Sequence, residues 1–229
     1  MGQIFHNSVS QGSIVRKQCI GASWTVIVSL VALLALTGTG AAAAAELTPT
    51  EAVKSTIADV VQILDNAELN QPGRAVERRH RIEQVVRDRG SYEEMAKCAL
   101  GVPWTELTDS EQREFVGLFV QLLRDTFAGR IDDYKGEQVF YLSDQVEDRF
   151  AEVKTKLAGQ KMDRLLDFRL ANRHGNWLVY DVVIDGASIT GNYHAQFTSI
   201  IRDLSHAGLV KRMKEKTLVA KVFETTTAP

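Results

Sequence analysis

Residues 150–184 read FAEVKTKLAGQKMDRLLDFRLANRHGNWLVYDVVI, and the period of this stretch decides the fold. Ala151, Val153, Thr155 and Leu157 alternate with Glu152, Lys154 and Lys156, and Leu166, Phe168 and Leu170 alternate with Asp167 and Arg169. Side chains that switch between apolar and charged at every step belong to strands with one face in a core and the other in water. Gly159-Gln160 and His174-Gly175-Asn176 supply the turns between them. Trp177 to Ile184 is apolar on both faces apart from Asp181, which predicts a strand covered on both sides. A less regular strand precedes these around Val139 and Tyr141. Consecutive strands with short links make an antiparallel meander, here of four strands, and one face of it needs a cover of helices.

The flanking sequence provides that cover. Thr48-Pro49-Thr50-Glu51 opens a first helix with Val53, Ile57, Val60, Val61 and Leu64 at helical spacing, and Gln71-Pro72-Gly73 breaks the chain after it. A charged helix from about Arg74 to Arg89 carries Val76, Ile82, Val85 and Val86. Ser91-Tyr92-Glu93-Glu94 has the form of a capping box and opens a short helix ending near Gly101. Thr108-Asp109-Ser110-Glu111 opens a helix whose Phe115, Val116, Leu118, Phe119, Val120, Leu122, Leu123 and Phe127 cover nearly the whole circumference, which predicts a central position covered on several sides. After Asp185-Gly186 a last helical region carries Ile189, Tyr193, Phe197, Ile200, Ile201 and Leu204, followed by a short amphipathic piece at Leu209–Met213. The expected class is α+β: a four-stranded antiparallel sheet packed by N-terminal and C-terminal helices.

Charge is distributed unevenly. Of 27 Lys and Arg and 29 Asp and Glu, only Arg16 and Lys17 precede Glu46, so residues 46–229 hold 25 bases and 29 acids. A net charge of −4 there argues against nucleic-acid binding, which requires excess cation to neutralise phosphates. The basic start, the uncharged run Trp24–Leu36 and the alanines ending at Ala45 form a secretory signal with cleavage after Ala45. An uncleaved anchor is the alternative, since residues 18–45 carry no formal charge. Cys19 precedes the apolar run, where a lipid-modified cysteine would have to follow it. The domain is then 46–217, with a frayed tail at 218–229. It retains only Cys98, so it has neither a disulfide nor a multi-cysteine zinc site.

Catalytic patterns are absent from the sequence. His80, His174, His194 and His206 have no partner in metal-ligand spacing, and no Gly-x-Ser-x-Gly, Walker or dinucleotide motif occurs. Asp181 and Asp185 would lie about 13 Å apart along a strand, too far for the paired carboxylates of a glycosidase. Asp181 reads as a partly buried acid held by an arginine or by backbone donors, with a catalytic base as the rival reading. The basic clusters Arg78-Arg79-His80-Arg81 and Lys211-Arg212-Met213-Lys214 read as solvated faces, with docking to acidic partners or anionic headgroups as the alternative.

Several ordered motifs resemble the MlaC family, also called the toluene-tolerance auxiliary family. They are Ala99-Leu100-Gly101 with Trp104, Gln112, Phe115, Phe119 and Leu122-Leu123; Trp177-x-Val179-Tyr180-Asp181-Val182; Asp185-Gly186-x-Ser188; and Asn192-Tyr193-x-x-Gln196-Phe197. His194 stands where the family usually has Arg, and Ala187 where Val is usual. The resemblance implies a periplasmic phospholipid carrier, not an enzyme and without cofactor or metal, acting as a monomer. Its implied partners are an outer-membrane lipoprotein–porin complex and an inner-membrane ABC lipid transporter, with outer-membrane lipid asymmetry as the outcome. A hopanoid or another terpenoid lipid is the alternative ligand. A cleft between sheet and helices needs only aliphatic and aromatic lining for this task. The candidates from the helices are Phe119, Leu123, Phe127, Tyr193, Phe197 and Ile201; those from the strands are Tyr141, Val153, Leu157, Phe168, Leu170, Trp177 and Val179.

Overall fold

The computed structural model describes residues 47–127, 136–159, 162–216 and 218. The signal segment read at 1–45 and the tail after 218 lie outside the described residues. In chain order the elements are α1 (Pro49–Leu64), α2 (Ala75–Arg89), α3 (Tyr92–Leu100), a 3-10 turn (Val102–Glu106), α4 (Asp109–Phe127), β1 (Gln138–Glu147), β2 (Phe150–Ala158), β3 (Arg164–Arg173), β4 (Asn176–Ile184), β5 (Ala187–Ser188) and α5 (Ile189–Lys214).

The sheet is antiparallel in the order β1-β2-β3-β4-β5, so the architecture is α+β as expected, with five strands rather than four. The additional strand is two residues long, and a period cannot be read from two residues. It forms because Asp185 (φ 49°) and Gly186 (φ 86°) fold the chain back tightly enough for Ala187 and Ser188 to pair with Ile184 and Val183.

Two local irregularities explain where alternation failed. The β1–β2 register shifts between Tyr141 and Ser143, leaving Leu142 as an extra residue on β1. The β3–β4 register shifts between Arg169 and Leu170, which pair with Asp181 and Val179, so Tyr180 is the extra residue on β4. A β-bulge of this kind reverses the alternation. Val179 and Val182 therefore share the face of Phe168 and Leu170, while Asp181 opposes Arg169 on the other face. The both-sided apolar character of residues 177–184 records this bulge.

The helix starts differ in chemistry. Thr48 accepts from the Glu51 N–H at 3.2 Å, and the Glu51 carboxylate accepts from the Thr48 N–H at 2.8 Å. Thr108 and Glu111 repeat this reciprocal pair. At Ser91 the expected box does not form. The Ser91 side chain makes no cap hydrogen bond, its backbone N–H donates to the Val179 carbonyl at 2.8 Å, and the Glu94 carboxylate is engaged by Arg173. Docking of α3 along the β4 edge overrides the local motif.

Two separate apolar cores result. The larger joins α3, α4 and α5: Ala96, Ala99, Leu100, Trp104, Phe115 and Phe119 meet Ile189, Tyr193, Phe197, Leu209 and Met213. The smaller joins α1 to the sheet through Ala52, Val53, Val153 and Leu170. The expectation of an α4 covered on several sides is corrected: only Phe115 and Phe119 are buried, while Val116, Leu118, Val120, Leu122 and Leu123 remain half-buried. The helix α5 is broken at Ser205 (φ 70°, ψ 170°), which separates the piece carrying Leu209 and Met213.

Candidate functional site: an apolar seam and an adjoining cleft

The aromatic side chains at the base of the site pack on one another. Phe119 meets Tyr193 edge-on at 5.2 Å and Phe197 at 6.0 Å, and Phe115 meets Phe197 edge-on at 5.8 Å. Such contacts add about 0.5–1.5 kcal/mol each beyond area burial. The Tyr193 hydroxyl, whose pKa is raised by burial, shares a hydrogen bond of 2.9 Å with Thr126 Oγ1 on the last turn of α4. That contact sets Leu123 and Phe127 against α5.

The thirteen residues proposed from sequence fall into three groups. Phe119, Tyr193, Phe197, Val153 and Leu170 are completely buried and form the centres of the two cores. Leu123, Phe127 and Ile201 are half-buried on the larger core, and Tyr141, Phe168, Trp177 and Val179 are half-buried on the smaller one. Leu157 is half-buried and belongs to neither. The register places Tyr141, Thr155, Leu166 and Ile184 in one row and Val153, Phe168 and Val182 in the next. Val182 and Ile184 pack on the larger core, whereas Tyr141 and Phe168 pack on the smaller. One sheet face thus carries both cores, with a seam of half-buried apolar side chains running between them.

A cleft of about 800 Å³ opens beside the smaller core, between α1, α2 and the β3–β4 turn. Ala52, Val85, Trp177 and Leu178 line its apolar part, and Asp59, Asp88, Arg89, Arg173, His174 and Asn176 its polar part. Of the thirteen proposed residues only Trp177 lines it. Sequence reasoning missed the others because they come from three segments, 47–59, 85–89 and 173–178, with no shared motif.

Asp181 and Asp185 are committed elsewhere. Asp181 is 1% exposed, and its oxygens accept from Ser188 Oγ at 2.6 Å, the Thr190 N–H at 3.0 Å and Arg169 at 3.1 Å. Ser188 Oγ in turn accepts from the Gly191 N–H at 2.8 Å as the N-cap of α5. The acid locks the start of α5 to β4. Asp185 accepts from the Leu165 N–H at 2.9 Å and pairs with Arg164 at 3.0 Å. Among the described residues no group of three or more His, Cys, Asp or Glu side chains could hold a metal ion. In the basic clusters, Arg81 pairs with Glu77, and Lys214 with Glu114.

A family model described as MlaC protein matches residues 54–215, a span containing the buried residues of the larger core, those of the smaller core apart from Ala52 and Val53, and most of the cleft. The chain belongs to the MlaC family. Its fold is similar to that of a solved phospholipid-binding protein from Ralstonia solanacearum in complex with a phospholipid. The two share 24% identity with a TM-score of 0.65, over 72% of this chain and 94% of that one. No functionally curated protein matches the chain. Among the described residues no helix is long and apolar enough to cross a membrane.

On this MlaC fold the two departures from the usual motifs take distinct positions. Ala187 is exposed on β5. His194 projects from α5 over the α3 terminus, with Nδ1 3.3 Å from the Ala99 carbonyl oxygen. Gly101, at φ 73°, lies beneath the imidazole, and a Cβ there would come within 2.5 Å of its Cε1. The Gly101–His194 pair is a packing contact between α3 and α5.

Proposed function

We propose that this MlaC-family chain is a periplasmic phospholipid carrier. It would collect a lipid from one envelope membrane system and deliver it to another, with an outer-membrane lipoprotein–porin complex and an inner-membrane ABC transporter as its partners. The observation that supports this most is the seam: two independently packed cores on one sheet face, with Leu123, Phe127 and Ile201 half-buried against the larger and Tyr141 and Phe168 half-buried against the smaller. A carrier needs such a surface. At about 0.8 kcal/mol per methylene, exposing two acyl chains of about 30 methylenes to water costs about 24 kcal/mol, so spontaneous crossing of an aqueous space is negligible. Loading from a bilayer exchanges one apolar environment for another and is close to balanced, so partners can control it without chemistry. The solved Ralstonia protein was obtained with a phospholipid bound on the same fold, which favours a diacyl ligand over a hopanoid.

The test is uptake of labelled phospholipid from vesicles by the wild-type chain and by Leu123→Asp. Leu123 is half-buried, so the charge enters the seam without replacing a core side chain. The wild type acquires lipid, while Leu123→Asp acquires at least tenfold less per folded chain, with the folded fraction read by urea unfolding. Equal uptake by the two proteins refutes a ligand in the seam.

A further inference from the structure

The carrier reading leaves the polar edge of the 800 Å³ cleft unused. Arg89, Arg173, Asp59 and Asp88 line it. Arg89, at the end of α2, reaches back to α1, donating to Ser55 Oγ at 3.3 Å and standing 3.6 Å from the Asp59 carboxylate. Arg173 is turned towards α3, 3.3 Å from Glu93 and 3.4 Å from Glu94. Asp88 is exposed, and its carboxylate takes part in no hydrogen bond or ion pair among the described residues. Beneath this edge lie Ala52 and Trp177, which also belong to the smaller core, so the polar cleft and the apolar side chains beside the seam are continuous.

We infer that this cleft holds the headgroup of the carried lipid and selects a phosphate with a primary ammonium beside it, the phosphate on Arg89 and the ammonium on Asp88. The inference rests on the carrier reading. A purely anionic headgroup placed here meets Asp59 and Asp88, and a purely cationic one meets Arg89. A phosphate–ammonium zwitterion satisfies both. The planar fork of Arg89 suits two phosphate oxygens, and the exposed Asp88 carboxylate accepts N–H bonds that a trimethylated amine does not offer. The Trp177 side chain then meets the glycerol and the first methylenes, which directs the chains into the apolar interior.

The experiment loads the full chain from vesicles of equimolar phosphatidylethanolamine and phosphatidylglycerol and reads the bound ratio by native mass spectrometry. The wild type takes phosphatidylethanolamine in preference. Asp88→Asn lowers the ratio by about two- to fivefold, the scale of a partly exposed ion pair. Asp203→Asn, an exposed acid of α5 paired with Arg202, leaves the ratio at the wild-type value. A wild-type ratio at or below one, or a ratio unchanged in Asp88→Asn, overturns the headgroup site while leaving the carrier standing. If the wild type takes no lipid at all, the carrier reading itself fails, and titration with chain-free glycerophosphoethanolamine decides the cleft. Binding that Asp88→Asn abolishes retains the phosphate–ammonium chemistry for a soluble ligand, and no binding removes it.

Discussion

Replacing Asp181 by Ala should cost about 3–5 kcal/mol of folding stability and nothing in chemistry. The magnitude follows from what each donor loses. The Thr190 N–H lies in the first turn of α5 at a residue 6% exposed, with Asp181 as its acceptor at 3.0 Å. Without that acceptor it is left unsatisfied, at about 1–3 kcal/mol. Arg169 loses a hydrogen bond to a charged partner, worth about 1.5–3 kcal/mol, although it keeps Glu152 at 3.2 Å and access to water. Ser188 loses least, because its hydroxyl can turn to Thr190 Oγ1 at 3.4 Å while still accepting from Gly191. The sum agrees with the cost of removing one partner from a buried pair, about 3–5 kcal/mol. Asp181→Asn retains one acceptor oxygen and should lose about half as much. Urea unfolding by circular dichroism measures both variants, and lipid content per folded chain is measured in parallel. A loss below about 1 kcal/mol refutes the buried-clamp account. Unchanged stability with lost lipid or a lost reaction would restore Asp181 as a functional acid.

Other outcomes follow from the same structure. The Glu51 carboxyl is held below its ordinary value of 4.5 by the Thr48 backbone N–H and then its hydroxyl, and Glu111 by the Thr108 hydroxyl and then its backbone N–H. Depressed folded-state values mean the stabilisation is complete above pH 4.5 and is lost as pH falls through the lower folded values, so Glu51→Gln with Glu111→Gln should flatten the acid limb of the stability curve. Thr48→Ala removes a cap and should cost about 1 kcal/mol at neutral pH by urea unfolding. Gly101→Ala should destabilise by at least about 1 kcal/mol, because its positive φ and the His194 ring both oppose a Cβ; Gly101→Ala with His194→Ala should recover part of that loss and leave the backbone part. Phe197→Ala, at the centre of the aromatic group, should cost about 3–5 kcal/mol.

The class and the order of elements were legible because burial imposes a period. Ala151, Val153 and Thr155 alternate in sequence, and all three are buried. What was not legible traces to insertions and to long-range pairing. One extra residue at Leu142 and another at Tyr180 erased the alternation of β1 and β4, so Val182 and Ile184 were not recognised as sharing the helix-facing side. Sequence overstated the cover of α4 for a related reason: an apolar circumference is the same whether it faces other helices or a ligand. Of the site, the apolar composition was legible and the division was not. Phe119 and Leu123 differ only by one helical turn, yet one is fully buried and the other only half-buried against the same core. The cleft edge had no signal, since Asp88, Arg89 and Arg173 resemble the other solvated charges of α2 and β3 until the β3–β4 turn is placed against α1 and α2.

The central claim, that this chain carries one lipid in its apolar seam, is tested most directly by native mass spectrometry of the gently purified protein. The prediction is a bound mass of diacyl-phospholipid size, one per chain, that organic solvent removes and vesicles restore. Repeated isolation of an empty chain that takes up no lipid from vesicles would contradict it.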